Sequence, residues 1–221
     1  MTQEVERRAR IHAALGDPVR LAIVDDLDAS DRSPSELARR FELATNLLAH
    51  HLDVLEEAHL IERFVSSGDR RRRYVRLRRT TLDHLQIDRV AGGSDLADGV
   101  VTMFVCSQNS ARSQLAAALW TAKTGLEATS AGTHPAERVA PGAVAAARRA
   151  GLDLTGAVPT LLEQPPRTDL VVTVCDRAHE ELVALPSWRH WSLADPVESG
   201  TDAAFDEVIA ELERRIDALA S

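Results

Sequence analysis

The sequence is short of the features that would place it in several large classes of protein. Among its 221 residues no run of 18 or more is apolar, which excludes a hydrophobic transmembrane helix. It has only two cysteines, Cys106 and Cys175, too few for a disulfide framework. The first ten residues are charged and contain no apolar stretch, so no secretory signal is expected. There are no internal repeats. A reducing, cytoplasmic setting is therefore expected, where cysteines are either reactive or plain core residues.

Lysine is nearly absent: Lys123 stands alone, and the other 25 of the 26 basic residues are arginines. The formal net charge of −8 argues at first against a nucleic-acid partner. That charge is unevenly spread. Residues 1–79 hold 15 Arg against 14 Asp+Glu, a net of +1, which leaves −9 for residues 80–221. Four arginines, Arg70, Arg71, Arg72 and Arg73, are consecutive. Such asymmetry points to two functions in one chain. The linker-like run Ala91-Gly92-Gly93-Ser94-Asp95 sets the expected division: a first domain over 1–90, a linker over 91–98 and a second domain over 99–221.

The first part reads as an α+β domain. Apolar spacing over Ala9–Leu15 ends at Gly16-Asp17-Pro18, and Pro18 opens a helix through Leu21, Ile23, Val24 and Leu27. Ser33-Pro34-Ser35-Glu36 is a capping box. Thr45 is positioned to cap a helix with Leu48, Leu52 and Leu55 on one face. Ile61–Val65 and Tyr74–Leu77 read as a hairpin around Gly68-Asp69, and a last helix is expected at about Thr81–Val90. Two short helices followed by a basic-tipped hairpin describe a winged helix-turn-helix. The second helix would enter the major groove with Thr45, Asn46, Ala49 and His50, while Arg70–Arg73 meet phosphates or the minor groove. Taken alone, the arginine run would be a solvated loop.

This segment resembles the ArsR family of winged-helix repressors over about residues 8–80. The pieces that carry the likeness are Ala14-Leu15-Gly16-Asp17-Pro18-Val19-Arg20-Leu21, Ser35-Glu36-Leu37-Ala38 and His50-His51-Leu52-Asp53-Val54-Leu55. The resemblance implies binding of operator DNA as a homodimer, paired through the first and last helices of the domain. Three departures stand out. The recognition helix carries Asp53, Glu56 and Glu57 where basic residues are usual, and acidic groups near phosphates weaken binding. His59 stands where the family has glycine, at a position that often needs a positive φ. The helix at Pro34–Phe41 has no cysteine pair. Asp83 and His84 are an incomplete trace of another family metal site; a solvated helix face is the better reading, and no metal is expected.

The second part alternates strand and helix. Val100–Val105 is a continuous apolar strand, followed by a helix at Ser113–Thr124, a strand at about Leu126–Ala131 and a helix at Pro141–Ala150. A buried strand at Asp169–Val174, a helix near His179–Ala184 and a final helix at Asp202–Leu219 complete it. The order implies an α/β domain with a parallel sheet covered on both faces.

Cys106-Ser107-Gln108-Asn109-Ser110-Ala111-Arg112-Ser113 lies between a buried strand and a helix. The spacing C-x5-R is weak by itself in an arginine-rich chain; its position makes it informative. A short loop there can turn backbone N–H groups of Ser107, Gln108, Asn109, Ser110 and Ala111 toward a tetrahedral oxyanion, aided by the helix N-terminus. Arg112 can grip two of its oxygens. Cys106 is the candidate nucleophile, whose reactive form is the thiolate. Ser113 can hydrogen-bond it, and Asn109 suits a left-handed backbone position. Asp195, before Pro196, is the candidate acid for the leaving oxygen.

These residues resemble the low-molecular-weight tyrosine phosphatases, and more closely their arsenate reductase branch, over about Val100–Ile216. Asn109-Ser110-Ala111-Arg112-Ser113-Gln114-Leu115-Ala116, Ser130-Ala131-Gly132-Thr133 and Asp169-Leu170-Val171-Val172-Thr173-Val174-Cys175-Asp176 carry the likeness. Gln114 replaces the usual phosphatase proline, and Val197-Glu198 replaces the tyrosine that serves aromatic substrates. The resemblance implies a four-stranded parallel sheet and reduction of arsenate to arsenite through Cys106, in an arsenical-resistance role. It puts Cys175 at the place of a second redox cysteine; the third, seven residues on, is here Leu182. No bound cofactor is implied. Either a Cys106–Cys175 disulfide is reduced directly or an external small thiol takes the arsenic adduct; the external system would be thioredoxin or glutaredoxin-like, or mycothiol with mycoredoxin in the GC-rich bacterium that the arginine bias suggests. Two other readings are a tyrosine phosphatase fused to a regulator, and a non-catalytic regulator that senses arsenate or phosphate.

Overall fold

The computed structural model describes residues 2–83, 101–162, 170–182 and 187–220, apart from the side chains of Glu4 and Asp83. The chain divides into two compact units, the first drawn from most of residues 1–92 and the second from most of the rest. The expected linker at 91–98, together with His84, Val100, Asp169 and most of the helix expected at Thr81–Val90, lies outside the described residues.

The first unit runs α1 (Gln3–Leu15), α2 (Pro18–Ala29), α3 (Pro34–Arg40), α4 (Thr45–Glu57), β1 (Ile61–Val65), β2 (Arg73–Leu77) and α5 (Arg79–Asp83). Asp17 caps α2 by accepting from the N–H groups of Val19 and Arg20. At α3 the capping box forms in both directions: Ser33 Oγ accepts from Glu36 N, and Ser33 N donates to Glu36 Oε2 at 2.7 Å. One expectation fails here. Thr45 does not cap α4; it is the first helical residue, and Ala44 occupies the cap with no side-chain bond. The helix needs no cap to be held, because Leu48, Leu52 and Leu55 are buried against Ile23, Leu27 and Leu37. Ile61 pairs with Leu77 and Val65 with Arg73 in an antiparallel hairpin.

The second unit runs β3 (Thr102–Cys106), α6 (Arg112–Thr124), β4 (Ala128–Gly132), α7 (Pro141–Arg149), β5 (Leu170–Thr173), α8 (Asp176–Glu181), β6 (Arg189–His190), α9 (Pro196–Ser199) and α10 (Asp202–Ala220). The sheet has four parallel strands in the order β4-β3-β5-β6. The two central strands are the most apolar, as strands covered on both faces must be. Phe104 of β3 meets Trp120 and Trp191, each at 5.8 Å between ring centroids. α10 packs on α6 and α7 through Phe205, Val208, Leu212 and Ile216. The expected helix near His179–Ala184 begins earlier, at Asp176, because Cys175 Sγ caps it by accepting from Ala178 N.

His59 closes α4 with a φ of 57°. The left-handed region costs an L-residue with a Cβ roughly 1 kcal/mol, and glycine escapes that cost. His59→Gly is expected to slow hydrogen exchange of the buried α4 amides about fivefold, the equivalent of roughly 1 kcal/mol; unchanged or faster exchange would mean that the His59 side chain offsets the strain.

Candidate active site

Three loops meet at the C-terminal edge of the parallel sheet, where open α/β sheets place their ligands. The loop of residues 106–111 follows β3, residues 133–140 follow β4, and residues 174–175 follow β5. Their hydrogen bonds explain the shape of the first. Cys106 O accepts from Thr133 N at 3.2 Å, Ser107 O from His134 N at 2.8 Å and Gln108 O from Ala136 N at 2.9 Å. Asn109 O accepts from Gln114 Nε2 at 3.2 Å, and Ser110 O from Ala140 N at 2.8 Å. A trans peptide is planar, so its N–H points opposite to its carbonyl. Five carbonyls held outward therefore turn the N–H groups of Ser107, Gln108, Asn109, Ser110 and Ala111 the other way. Two of these bonds are explicit: Asn109 N donates to Cys106 Sγ at 3.1 Å, and Ser107 N donates to Cys175 Sγ at 3.2 Å.

Asn109 is fully buried and takes the left-handed conformation, with φ 48°. Its side chain uses every donor and acceptor it has. Nδ2 donates to Ser113 Oγ at 2.8 Å and Ser130 Oγ at 2.9 Å. Oδ1 accepts from Thr160 N and from Gln114 Nε2. Ser113 Oγ lies 3.0 Å from Cys106 Sγ, within hydrogen-bond reach. The loop fits only because residue 132 is glycine: a Cβ there would lie 2.8 Å from Ser107 O and 3.0 Å from Asn109 N.

Arg112 starts α6, one residue earlier than the expected Ser113. Its fork is split between two partners, with Nη1 donating to Leu193 O at 3.0 Å and Nη2 to Asp195 Oδ2 at 2.5 Å. Asp195 Oδ1 accepts from Val197 N and so caps α9. Thus the candidate anion-binding arginine and the candidate acid are joined directly as an ion pair.

Both thiols are buried. Burial, before any other influence, pushes the Cys175 thiol up to about 11, with the nearby Cys106 adding to the effect and Arg112 opposing it. The next residue, Asp176, behaves in the opposite sense. Burial alone would raise its carboxyl, yet bonds to His190 and Ser192 hold it far below the ordinary carboxylate range. His190 Nε2 lies 3.1 Å from Asp176 Oδ1, and its ring stacks on His179 at 4.0 Å. This buried group fixes the start of α8, and hence Cys175.

In the first unit, Thr45, Asn46, Ala49 and His50 are exposed on the face of α4 opposite its buried leucines, and Arg70, Arg71, Arg72 and Arg73 are exposed at the hairpin tip. Two of the three acidic residues on α4 are neutralised locally. Arg63 of β1 reaches Asp53 at 2.5 Å and Glu56 at 3.3 Å. Among the described residues no group of His, Cys, Asp and Glu is arranged to hold a metal ion, and no helix is long and apolar enough to cross a membrane.

The family model for low molecular weight phosphotyrosine protein phosphatases matches residues 101–221. The chain belongs to that family. A helix-turn-helix domain model matches residues 15–63, so this member carries a helix-turn-helix segment ahead of the phosphatase-family unit. Among solved structures, an arsenate reductase from Archaeoglobus fulgidus DSM 4304 is 31% identical over 54% of this chain and 98% of its own, with a TM-score of 0.47. A low molecular weight protein tyrosine phosphatase from T. tengcongensis is 23% identical over 54% of this chain and 97% of its own, with a TM-score of 0.50. The tyrosine phosphatase Wzb from Escherichia coli K30, in complex with sulphate, is 21% identical over 54% and 95%, with a TM-score of 0.50. The last two share the fold of the second unit. No curated protein matches.

Sequence reasoning missed Gly132, Ser130, Gln114 and Thr160 as parts of this site. Ser130-Ala131-Gly132-Thr133 had drawn notice only as a matching segment; a small-residue run ending a strand beside the cysteine loop was the available signal.

Gly132→Ala forces a Cβ onto the backbone of Ser107 and Asn109. Inorganic phosphate or arsenate binding, measured by calorimetry, is expected to fall below detection while the far-ultraviolet spectrum is kept. Wild-type affinity in that variant would show that the loop tolerates displacement.

Proposed function

We propose that the second unit is a cysteine-dependent arsenate reductase and the first a DNA-binding regulator, joined in one arsenic-response protein. The observation that carries the reductase reading is the second thiol. Cys175 Sγ accepts from Ser107 N, in the same loop that Cys106 begins. Phosphoryl transfer to water needs one cysteine; reduction of As(V) to As(III) needs two electrons, which two thiols supply.

In this reading the N–H groups of Gln108, Ser110 and Ala111, with Arg112, hold arsenate, while those of Asn109 and Ser107 support the Cys106 and Cys175 sulfurs. The Cys106 thiolate attacks arsenic, and an As–O bond breaks as Asp195 gives the departing oxygen its proton. Cys175, as thiolate, then attacks Cys106 Sγ. The S–As bond breaks with its electron pair moving to arsenic, which leaves as arsenite. The Cys106–Cys175 disulfide that remains is reduced by an external thiol system, thioredoxin or mycothiol with mycoredoxin, in a reducing cytoplasm. Val197 stands where phosphatases that take aromatic substrates carry a tyrosine, which favours a small inorganic substrate over a phosphotyrosine peptide.

Arsenite formation with each reductant tests this. Cys106→Ser is expected to abolish it, and Cys175→Ser to abolish it with dithiol systems. Because the Cys175 thiol is raised to about 11, its attacking form grows with pH. The rate of arsenite release in a single turnover should therefore climb roughly tenfold per pH unit between 7 and 9. Phosphotyrosine-peptide hydrolysis that exceeds arsenate turnover and survives Cys175→Ser would favour the phosphatase reading instead.

For the first unit, we infer operator binding as a homodimer, with α4 in the major groove and the hairpin arginines on phosphates. The exposed Arg70–Arg73 run carries this reading. Replacing all four by alanine is expected to reduce the slope of log affinity against log salt by about 3 to 4 per protomer. An unchanged slope would remove the hairpin from the interface.

A further inference from the structure

Four of the five outward bonds that shape the cysteine loop come from backbone N–H groups of residues 133, 134, 136 and 140. The fifth comes from a side chain, that of Gln114 in the first turns of α6. Its amide is buried and donates to three oxygens: Asn109 O at 3.2 Å, Asn109 Oδ1 at 3.1 Å and Val158 O at 3.3 Å. Two protons serve three acceptors, so at least one is shared. None of the three acceptors titrates, and all are oxygens; the site is built for a donor.

The peptide that joins Asn109 to Ser110 is the one most in need of such a clamp. Asn109 sits in the left-handed region, a conformation that an L-residue keeps only when its surroundings enforce it. Rotation of the next peptide would turn Asn109 O inward and Ser110 N–H outward. An inward carbonyl would present a negative dipole to an anion where a donor is required.

We propose that Gln114 is a positioning residue for oxyanion binding: by holding Asn109 O outward it turns Ser110 N–H into the cradle. This rests on the oxyanion reading of the loop. Gln114 touches no substrate. It acts through one peptide plane, so its loss weakens the anion's grip without removing Cys106, Arg112 or Asp195.

Two variants of similar size separate this role from plain packing. Gln114→Met keeps the volume and loses the donor. Gln114→Glu places a group that can still donate when protonated and repels all three oxygens when ionised. Inorganic sulfate is the probe, because its charge is constant over the working range, and its affinity is measured by calorimetry on the full chain at pH 5 and pH 8. Gln114→Met is expected to bind about tenfold more weakly than the unaltered chain at both pH values. Gln114→Glu is expected to bind within about threefold of the unaltered chain at pH 5 and more than about tenfold more weakly at pH 8. Binding by Gln114→Met within twofold of the unaltered chain, or a Gln114→Glu ratio that does not change with pH, overturns the proposal. If the unaltered chain binds neither sulfate nor phosphate, the oxyanion reading itself fails, and this role with it.

Discussion

Peptide planarity is the constraint on which the second unit's site depends. The chain cannot aim an N–H group directly; it can only fix the carbonyl on the other side of the same plane. Residues 133–140 and Gln114 do that for five successive carbonyls. The consequences extend outward. Gly132 must lack a side chain so that the neighbouring strand can approach. Asn109 must accept a positive φ, and its amide must be satisfied on all sides. The order β4-β3-β5-β6 is what brings the loop after β4 to one flank of the cysteine loop and Cys175 to the other.

Charge follows the same logic of local placement. Residues 80–221 carry a net of −9, which would repel an anion if bulk charge governed binding. Within a Debye length of about 8 Å, however, near groups dominate. At the loop these are backbone dipoles and Arg112. The first unit shows the converse case. Asp53 and Glu56 on α4 are unfavourable beside phosphates, and each is paired to Arg63 of the adjoining strand. Glu57 is left as the acidic residue of α4 outside that pairing.

Much of this was legible in the residues. Pattern and capping signals pointed to the fold class of each part, because proline at a helix start, a capping box and a continuous apolar strand each leave a local trace. Asn109 and His59 were readable as left-handed positions, and both have positive φ. What was illegible depends on contacts between distant segments. Thr45 looked like a cap, but leucine burial, not capping, holds α4. Gln114 was legible only as a replacement for the usual phosphatase proline; its three bonds follow only from where Asn109 and Val158 lie. Arg63 carried no motif at all. Cys175 was readable as a strand-end cysteine, whereas its bond to Ser107 N and its cap on α8 needed three dimensions.

The central claim is that two thiols of one chain deliver the electrons that turn arsenate into arsenite. It is tested most directly by mixing the fully reduced chain with excess arsenate, with no external reductant, and counting arsenite and free thiols together. The account predicts one arsenite per chain, with loss of both thiols and a mass lower by two hydrogens that maps to Cys106 and Cys175. No arsenite, with both thiols still titratable, would contradict it.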